Sequence, residues 1–326
     1  MPKTSPLSSK VLSCATLVIL SFLVYSNSFH TSFHFDDGPS IVDNLAIRDL
    51  SHVRAIFDFW PPRFLSNLSF ALDYHWHGLD VWGYHAANLA IHLASGLLVF
   101  WLVGLTLHAP AMREQKIVRD PALFSFFVAL LFLIHPIQTQ AVTYIVQRSA
   151  LLSAFFYLLS LYCYSASRMS AERGRGTLLY AGCVLSMVCG MFSKESAVTL
   201  PITLLLYEIF LIRGSGRAVR ERAAPLLLGL LIIPLTIHLT HAMDIVRQKS
   251  PADISSGHYL LTQFRVMITY LRLLLIPTGQ NLDYDLPIYK NFFQAPVFLS
   301  AFFLGLVGFL AFKLYRKHRL LSFSIV

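Results

Sequence analysis

Charged residues are scarce in this sequence. Asp, Glu, Lys and Arg together make up 13% of its 326 residues, about half the share that soluble proteins carry. Hydrophobic residues make up 56% and are gathered into blocks near the roughly 20 residues with which a helix crosses a bilayer. This composition excludes an ordinary soluble domain and predicts an all-α, polytopic bundle of transmembrane helices.

Cysteine is scarce as well. The pattern of the cysteines is typical of small buried side chains, because all lie inside apolar blocks without paired spacing outside them, and it indicates neither a disulfide framework nor a metal site. The sequence also lacks internal repeats and low-complexity tracts. The four cysteines are Cys14, Cys163, Cys183 and Cys189.

Eight apolar blocks predict membrane-spanning helices. The first follows Lys3 and Lys10 as the core of a signal peptide would, but it is longer than such a core and no small-residue cleavage site follows it. We therefore predict that it is the first span. The eight predicted spans are 11–29, 86–107, 121–135, 148–166, 177–193, 196–212, 224–241 and 294–312.

A ninth apolar block, 259–276, has a different pattern. Its polar residues follow one another at intervals of three, four and three positions, which puts them on one face of a helix. The pattern favours an amphipathic helix lying at the membrane interface over a ninth span. These polar residues are Thr262, Arg265, Thr269 and Arg272.

The basic residues predict the topology. A net charge of +9 would fit nucleic-acid binding, but the basic residues lie in short loops between apolar blocks, where membrane insertion accounts for them. We therefore expect no nucleic-acid partner. The positive-inside rule places the N-terminus in the cytoplasm and the segments 30–85, 136–147, 194–195 and 242–293 outside.

The segment 30–85 is the longest loop and is rich in acidic residues. It has 56 residues and contains seven of the 17 acidic residues of the chain. A structureless loop of that length is uncommon in a compact protein. Trp60, Trp76 and Trp82 are typical of a membrane–water boundary. We therefore predict interfacial helices in this first extracytoplasmic loop.

Two adjacent carboxylates, Asp36 and Asp37, follow the first predicted span. One carboxylate can accept a proton from an acceptor hydroxyl while the other orients the acceptor or holds a divalent cation. Asp37 is the candidate ligand, with Mg²⁺ or Mn²⁺ as the ion. The alternative is a turn, because Asp-Asp-Gly-Pro is ordinary turn chemistry. The spacing of the loop histidines does not indicate a zinc site.

Five further charged residues are candidates for a site on the same side of the membrane. Arg265 and Arg272 could bind a lipid phosphate or could simply extend to the interface. Lys194 and Glu195 could face a site or form an ion pair of little energetic weight. Arg148 could be a phosphate ligand or an interface anchor.

Uncharged polar residues near the same side could line a cavity. Asn88 and His92 are four residues apart and point the same way from a helix, as a cavity wall or as a hydrogen-bonded core pair. No predicted span has a charge near its middle, where ion-coupled transporters usually have one, so the pattern favours chemistry at the surface. The full set of cavity candidates is Arg63, His85, Asn88, His92, His135 and Gln138.

The order of several short motifs resembles a known group of enzymes, the C-type (GT-C) glycosyltransferases. More closely, it resembles the membrane part of the transmembrane and tetratricopeptide-repeat O-mannosyltransferase family and its bacterial relatives. The similarity covers about residues 11–319. The motifs lie at 34–37, 41–44, 63–70, 83–92, 135–148, 194–195 and 279–285.

The resemblance implies a GT-C-like fold and an inverting sugar transfer, with or without a metal. The donor would be a polyprenyl-phosphate sugar, such as dolichyl or undecaprenyl phosphate mannose, and the acceptor a hydroxyl of a protein or glycan. Asp36 or Asp37 would be the catalytic base, and Arg148, Lys194 and Glu195 would face the donor. The membrane would be the bacterial inner membrane or that of the endoplasmic reticulum.

Members of this family continue into further spans and a tetratricopeptide array. We expect no such array in this chain and interpret 320–326 as a truncated end. Two other functions are open on the sequence alone. The number of spans would suit a transporter or lipid flippase, and the absent array would suit a membrane scaffold without catalytic activity.

Overall fold

A computed structural model describes residues 6–112, 118–212, 226–239, 255–284 and 286–326, without the side chains of 6–9 and 239. Every regular element in these ranges is helical, so the predicted all-α class is confirmed. The chain divides into two compact units, Met1–Met243 and Asp244–Val326, and each is described by itself.

The first unit contains ten α-helices among its described residues. Two of them, α2 and α3, lie in the first loop, where interfacial helices are predicted. Their bounds are α1 Pro6–Tyr25, α2 Val53–Phe59, α3 Phe64–His77, α4 Val81–Leu107, α5 Pro121–Ile134, α6 Thr139–Thr143, α7 Arg148–Met169, α8 Arg173–Met191, α9 Leu200–Tyr207 and α10 Ile232–Leu239.

The second unit contains three α-helices within its described residues. The amphipathic helix predicted at 259–276 corresponds to α11, Ser256–Leu275. The span predicted at 294–312 corresponds to α12, Ala295–Leu314, and residues 320–326 fall largely within α13, Arg319–Ile325.

Five helical segments in the described ranges are long and apolar enough to cross a membrane. Two further pieces, Pro121–Ile134 and Pro136–Thr143, meet at an angle of 45° and pass the same test only when they are taken together. Of the span predicted at 224–241, the described part is a shorter apolar helix, Leu226–His238, and its remaining residues lie outside the description. The five segments are Lys10–Ser28, Val81–Leu107, Ile145–Met169, Glu195–Ile212 and Ala295–Leu314.

The helix α8 is less apolar than these segments, but it connects the two ends of the bundle. Arg168, near the last residue of α7, forms an ion pair with Glu208 at 2.8 Å. Lys194, just after α8, lies next to Gln147, just before α7. The segment between Arg168 and Lys194, which contains α8, therefore runs from the last turn of α7 back to the level of its first residue. We call the end with Gln147 the loop end and the end with Glu208 the far end.

The bend between α5 and α6 has a local cause. Pro136 has no N–H to continue the helix, and it forces His135 into an extended conformation, with ψ at 130°. The other terminus of α5 is well defined. Pro121 occupies its first turn, and the carboxylate of Asp120 accepts hydrogen bonds from two backbone N–H groups.

Two apolar clusters fix the first unit. Buried side chains of α1, α4 and α5, including Leu17, Val99 and Leu133, pack together within the bundle. A second cluster, with Ile41, Ile56, Phe70 and Tyr84 among its members, packs the first loop against the start of α4. The first loop is therefore a folded cap on the bundle.

Gly96 allows α4 and α5 to approach closely. A Cβ at this position would lie 2.4 Å from two side-chain carbons of the fully buried Leu133. We expect Gly96→Ala to lower the free energy of unfolding by about 1–3 kcal/mol through overpacking. Thermal unfolding in detergent measures this loss.

Gly104→Ala is the matched control on the same helix. The nearest neighbour of its added Cβ would be the hydroxyl of Ser125 at 3.5 Å, an ordinary contact, so the melting temperature should not fall. Equal losses in both variants would contradict the close α4–α5 contact and point to a general intolerance of α4.

Candidate functional site

Three segments that are distant in sequence meet at the loop end. The backbone N–H of Asp36 lies 2.9 Å from the hydroxyl of Tyr144, and a carboxylate oxygen of Asp37 accepts from the N–H of Val146 at 2.7 Å. The hydroxyl of Ser66 in α3 donates to the carbonyl of Ser193 at 2.9 Å. The first loop therefore contacts both the turn before α7 and the turn after α8.

The two adjacent carboxylates lie in opposite environments. Asp37 is fully buried, and its two oxygens accept from the backbone N–H groups of His34 and Val146. Burial raises the pKa of Asp37, against the opposing effect of these hydrogen bonds and of the nearby His34. Asp36 is exposed beside Tyr144. Asp36 is therefore the carboxylate that a substrate can reach, and Asp37 fastens the loop.

The residue before the pair explains this division. Phe35 has a φ of +47°, which is rare for a residue with a side chain. It begins a tight turn in which the N–H of Asp37 donates to the carbonyl of His34 at 3.1 Å. His34 stacks on Tyr144, with ring centroids 4.7 Å apart. The turn directs one carboxylate outward and its neighbour inward.

Arg148 lies inside the protein at the start of α7. Its guanidinium is 1% exposed and forms an ion pair with Asp73 at 2.6 Å. It also donates to the side chain of Asn88 at 2.7 Å and to the carbonyl of Tyr84 at 2.9 Å. The phenyl ring of Phe70 lies 4.7 Å from the guanidinium carbon. Its charge is thus neutralised within the protein, and the sequence did not single out Asp73 as the partner.

The cavity candidates of α4 are hydrogen-bonded within the bundle. Asn88 donates to the carbonyls of Val142 and Ile145 at 3.3 Å, and the Nε2 atom of His92 lies 2.9 Å from the carbonyl of Leu133. The Nε2 atom of His85 lies 2.9 Å from the carbonyl of Thr31. These contacts match the alternative of a buried polar core.

The turn between α5 and α6 holds two further candidates, His135 and Gln138. His135 accepts the N–H of Ile137 at 3.2 Å through its Nδ1 atom. Both side chains are half-buried at the loop end. His135 therefore shapes the turn, and Gln138 follows it on the same surface.

Lys194 and Glu195 have different partners. Glu195 accepts from the indole of Trp60 at 2.9 Å and from the guanidinium of Arg63 at 3.1 Å. Lys194 donates to the side-chain amide of Gln147 at 3.4 Å. Burial lowers the pKa of Lys194, Arg63 lowers it further, and Glu195 raises it. The ammonium thus has a neutral partner and can accept an anion.

A single turn connects the exposed carboxylate with this ammonium. The N–H of Gln147 donates to the carbonyl of Tyr144 at 3.0 Å, which closes one 3₁₀ turn. Three residues of such a helix rise about 6 Å. Asp36 contacts the first residue of the turn and Lys194 contacts the last. A base candidate and a cation are therefore attached to the two ends of the same short turn.

The residues at the acid pair do not fit a divalent cation. Both oxygens of Asp37 are already hydrogen-bonded, and its side chain is fully buried. Within the part of the chain that the structure describes, no three His, Cys, Asp or Glu residues lie close enough to hold a metal. We derive no step through a metal ion.

Arg265 and Arg272 belong to the second unit and differ in their surroundings. Arg265 lines a groove of about 440 Å³ between α11 and α12, whose other walls include Leu299 and Phe303. Arg272 donates to the carbonyl of Thr278 at 2.9 Å and is exposed. Only Arg265 combines a cation with an apolar groove, so the two arginines do not form one pair of ligands.

The fold and the site define a class, namely a multi-pass helical membrane protein with a folded first loop that bears an exposed carboxylate and contacts the turn to which Lys194 is bonded. The chain is related to the transmembrane and tetratricopeptide-repeat O-mannosyltransferases, which confirms the predicted relationship. No protein-family model matches the chain. No solved structure matches it either.

Three relatives illustrate this relationship. Protein O-mannosyl-transferase Tmtc3 of Drosophila melanogaster is 30% identical over 220 residues, which is 60% of this chain and 24% of the relative. Protein O-mannosyl-transferase TMTC2 of Homo sapiens is 31% identical over 208 residues, 59% of this chain and 23% of the relative. Protein O-mannosyl-transferase F38B6.6 of Caenorhabditis elegans is 26% identical over 301 residues, 87% of this chain and 41% of the relative. The chain thus spans about a quarter of the length of the first two.

Removing one partner of the buried Arg148–Asp73 pair should be strongly destabilising. Arg148→Met leaves an unpaired buried carboxylate, and we expect it to lower the free energy of unfolding by about 3–5 kcal/mol. The double variant Arg148→Met/Asp73→Leu should recover a large part of this loss, because neither charge remains. A double-mutant cycle from unfolding in detergent measures the coupling.

The exposed pair Arg54 and Asp58 provides the matched control. The corresponding cycle at this pair should give no measurable coupling, as is usual for surface ion pairs. Additive effects at Arg148 and Asp73 would show that the buried pair does not hold the first loop on the bundle.

Proposed function

We propose that this chain is the membrane part of a glycosyltransferase that acts at its loop end. The sugar is mannose, which the names of the relatives support, the donor is a polyprenyl-phosphate sugar, and the acceptor is a hydroxyl of a protein or glycan. One observation carries the proposal. Asp36, whose side chain is exposed, donates its backbone N–H to the hydroxyl of Tyr144, and Lys194 donates to the side chain of Gln147, and these two partners are the first and last residues of a single turn.

The proposed reaction needs one base and one site for negative charge. Asp36 accepts the proton of the acceptor hydroxyl as its oxygen attacks the anomeric carbon of the sugar. The bond between that carbon and the phosphate oxygen breaks, and the lipid phosphate leaves with the electron pair. Attack from the opposite side inverts the anomeric centre. Lys194 stabilises the charge that develops on the leaving phosphate.

The other site residues hold these two groups in place. Asp37 fixes the loop onto Val146, next to the turn. Arg148 follows the turn directly and fixes it by pairing with Asp73. Because this pair neutralises the guanidinium, Arg148 is not available to bind a phosphate. Glu195 bonds to Trp60 and Arg63, and its ion pair is with Arg63 and not with Lys194. We accordingly propose that Asp37 and Arg148 are positioning residues and that Asp36 is the catalytic base.

The proposed orientation has the N-terminus in the cytoplasm and the loop end outside. Lys10, Arg119, Arg168 and Arg173 lie at the starts or ends of α1, α5, α7 and α8 that are remote from the loop end. The positive-inside rule would place this far end in the cytoplasm. The membrane is then that of the endoplasmic reticulum or the bacterial inner membrane.

In the second unit, we propose Arg265 as a ligand for lipid phosphate. A lipid brings a charged group and an apolar chain together, and the groove between α11 and α12 offers a guanidinium with apolar walls. Arg272 bonds to Thr278 and would not take part.

The two carboxylates of the pair should respond differently to the same change. We expect Asp36→Asn to reduce sugar transfer by about 10²–10⁴-fold, because the base is lost, with an unchanged melting temperature. Asp37→Asn should lower the melting temperature, because its amide nitrogen would face a backbone N–H. Transfer of labelled mannose from dolichyl phosphate mannose to a Ser/Thr-rich peptide in proteoliposomes provides the first readout, and thermal unfolding the second.

Asp58→Asn is the control, since Asp58 is an exposed carboxylate of the same loop that pairs only with Arg54 among the described residues. This variant should transfer sugar at the rate of the unmodified chain. Full activity in Asp36→Asn would remove this residue from the mechanism.

Lys194 should affect turnover through its charge. Lys194→Met should reduce kcat by about 10²–10³-fold, the typical cost of losing one donor that stabilises transition-state charge, and Lys194→Arg should restore part of it. Steady-state kinetics with varied donor concentration separates kcat from KM. Arg54→Gln removes an exposed cation of the first loop and should change neither. If Lys194→Met altered only the melting temperature, the ammonium would be structural.

A further inference from the structure

A cavity lies at the far end of the first unit. It has a volume of about 290 Å³ and is bordered by α1, α4, α5 and α7. Lys10, Trp101, Leu105, Pro121 and Tyr162 contribute to its lining. Lys10 belongs to the first half of α1, Leu105 to the last turn of α4 and Pro121 to the first turn of α5. The cavity is thus remote from Asp36 and takes no part in the proposed transfer.

Three side chains that line this cavity have donor groups without a partner among the described residues. The ammonium of Lys10, the indole of Trp101 and the hydroxyl of Tyr162 have no hydrogen-bond or ion-pair partner within the described ranges of the chain. None of the lining residues is acidic. Lys and Trp side chains can only donate, and Lys10 and Trp101 are exposed at the cavity, so an occupant with acceptor oxygens can bond to both.

The α5 helix supplies no anion site of its own at this point. The first N–H groups of α5, those of Ala122 and Leu123, are already bonded to the carboxylate of Asp120, and the hydroxyl of Ser125 donates to the carbonyl of Pro121. The cation that remains for an anion is Lys10, and His108 also lines the cavity, with its Nδ1 atom 2.7 Å from the carbonyl of Gly104. Phe100 and Leu105 give the cavity an apolar wall.

We propose that this cavity binds the headgroup phosphate of an anionic phospholipid. The phosphate oxygens would accept from Lys10, Trp101 and Tyr162, while the start of an acyl chain would lie along Leu105 and Phe100. Basic pockets between transmembrane helices bind anionic headgroups in this way. Trp and Tyr are enriched at the depth of the headgroups. The site would hold the far ends of α1, α4 and α5 together.

Trp101 is a built-in reporter for this site. The chain has four tryptophans, and the other three, Trp60, Trp76 and Trp82, are in the first loop or the first turn of α4. In the variant in which these three are replaced by Phe, the fluorescence of Trp101 reports the cavity. Brominated phosphatidylglycerol should quench it at about fivefold lower mole fraction than brominated phosphatidylcholine, the factor that one basic residue near the surface contributes.

The control separates the cavity from general surface charge. Lys10→Gln should abolish the preference for phosphatidylglycerol, whereas Arg119→Gln should retain it, because Arg119 is an exposed cation of the same end that does not line the cavity. Equal loss in both variants would overturn the proposal. Reversal of the quenching by inorganic phosphate would also overturn it, because it would show a site for the free anion.

A second measurement does not depend on the triple tryptophan replacement. Native mass spectrometry of the otherwise unmodified chain, released from mixed micelles, counts retained lipids. We expect one retained phosphatidylglycerol that Lys10→Gln loses and Arg119→Gln keeps. Retention of phosphatidylcholine in equal amount would refute selective binding of an anionic headgroup.

Discussion

The rest of the loop end depends on the buried ion pair between Arg148 and Asp73. A buried charge is costly unless a partner of opposite charge and further hydrogen bonds compensate it. Here the compensation comes from three places in the chain, namely Asp73 in α3 and Asn88 and Tyr84 in α4, all bonded to the first residue of α7. The requirement to neutralise one guanidinium therefore fixes the first loop, α4 and the turn before α7 as a single body. Asp36, Asp37 and Lys194 are all bonded to residues of this turn before α7.

Within this body, residues that are neighbours in sequence acquire different roles from their surroundings. Asp36 and Asp37 are neighbours, yet one is exposed and the other is fully buried with a raised pKa. Lys194 and Glu195 are neighbours as well, yet Glu195 is neutralised by Arg63 and Lys194 bonds to an amide. In each pair, one residue binds the scaffold and the other remains for a ligand. A backbone turn is enough to separate them, as the positive φ of Phe35 shows.

The sequence allows the helical class and the folded first loop to be predicted, because hydropathy, length and positional charge encode them locally. The topology predicted from the basic residues also places the segments that contain Asp36, Gln147 and Lys194 on the same side of the membrane. The partners of long polar side chains are not encoded locally. Nothing near Arg148 indicates Asp73, which lies in another loop, and the adjacency of Lys194 and Glu195 suggests a pair that does not form. The small residues of α8 lower its hydropathy. Its length and its contacts therefore show more clearly than its composition that it connects the loop end with the far end.

These observations give a rule for recognising the functional groups of such a bundle. Ionisable groups that anchor helices need partners, and both ends of the first unit follow this requirement, with Arg148–Asp73 at one end and Arg168–Glu208 at the other. Glu208 is fully satisfied there, since Arg168 binds both of its oxygens and Tyr164 donates to one of them. Asp36 and Lys194 at the loop end, and Lys10 at the cavity of the far end, are among the described groups that no ion pair of the scaffold neutralises. The acid and the cation of the loop end support the proposed sugar transfer, and the cation of the far end supports the proposed site for an anionic headgroup, so the two proposals rest on opposite ends of the same bundle.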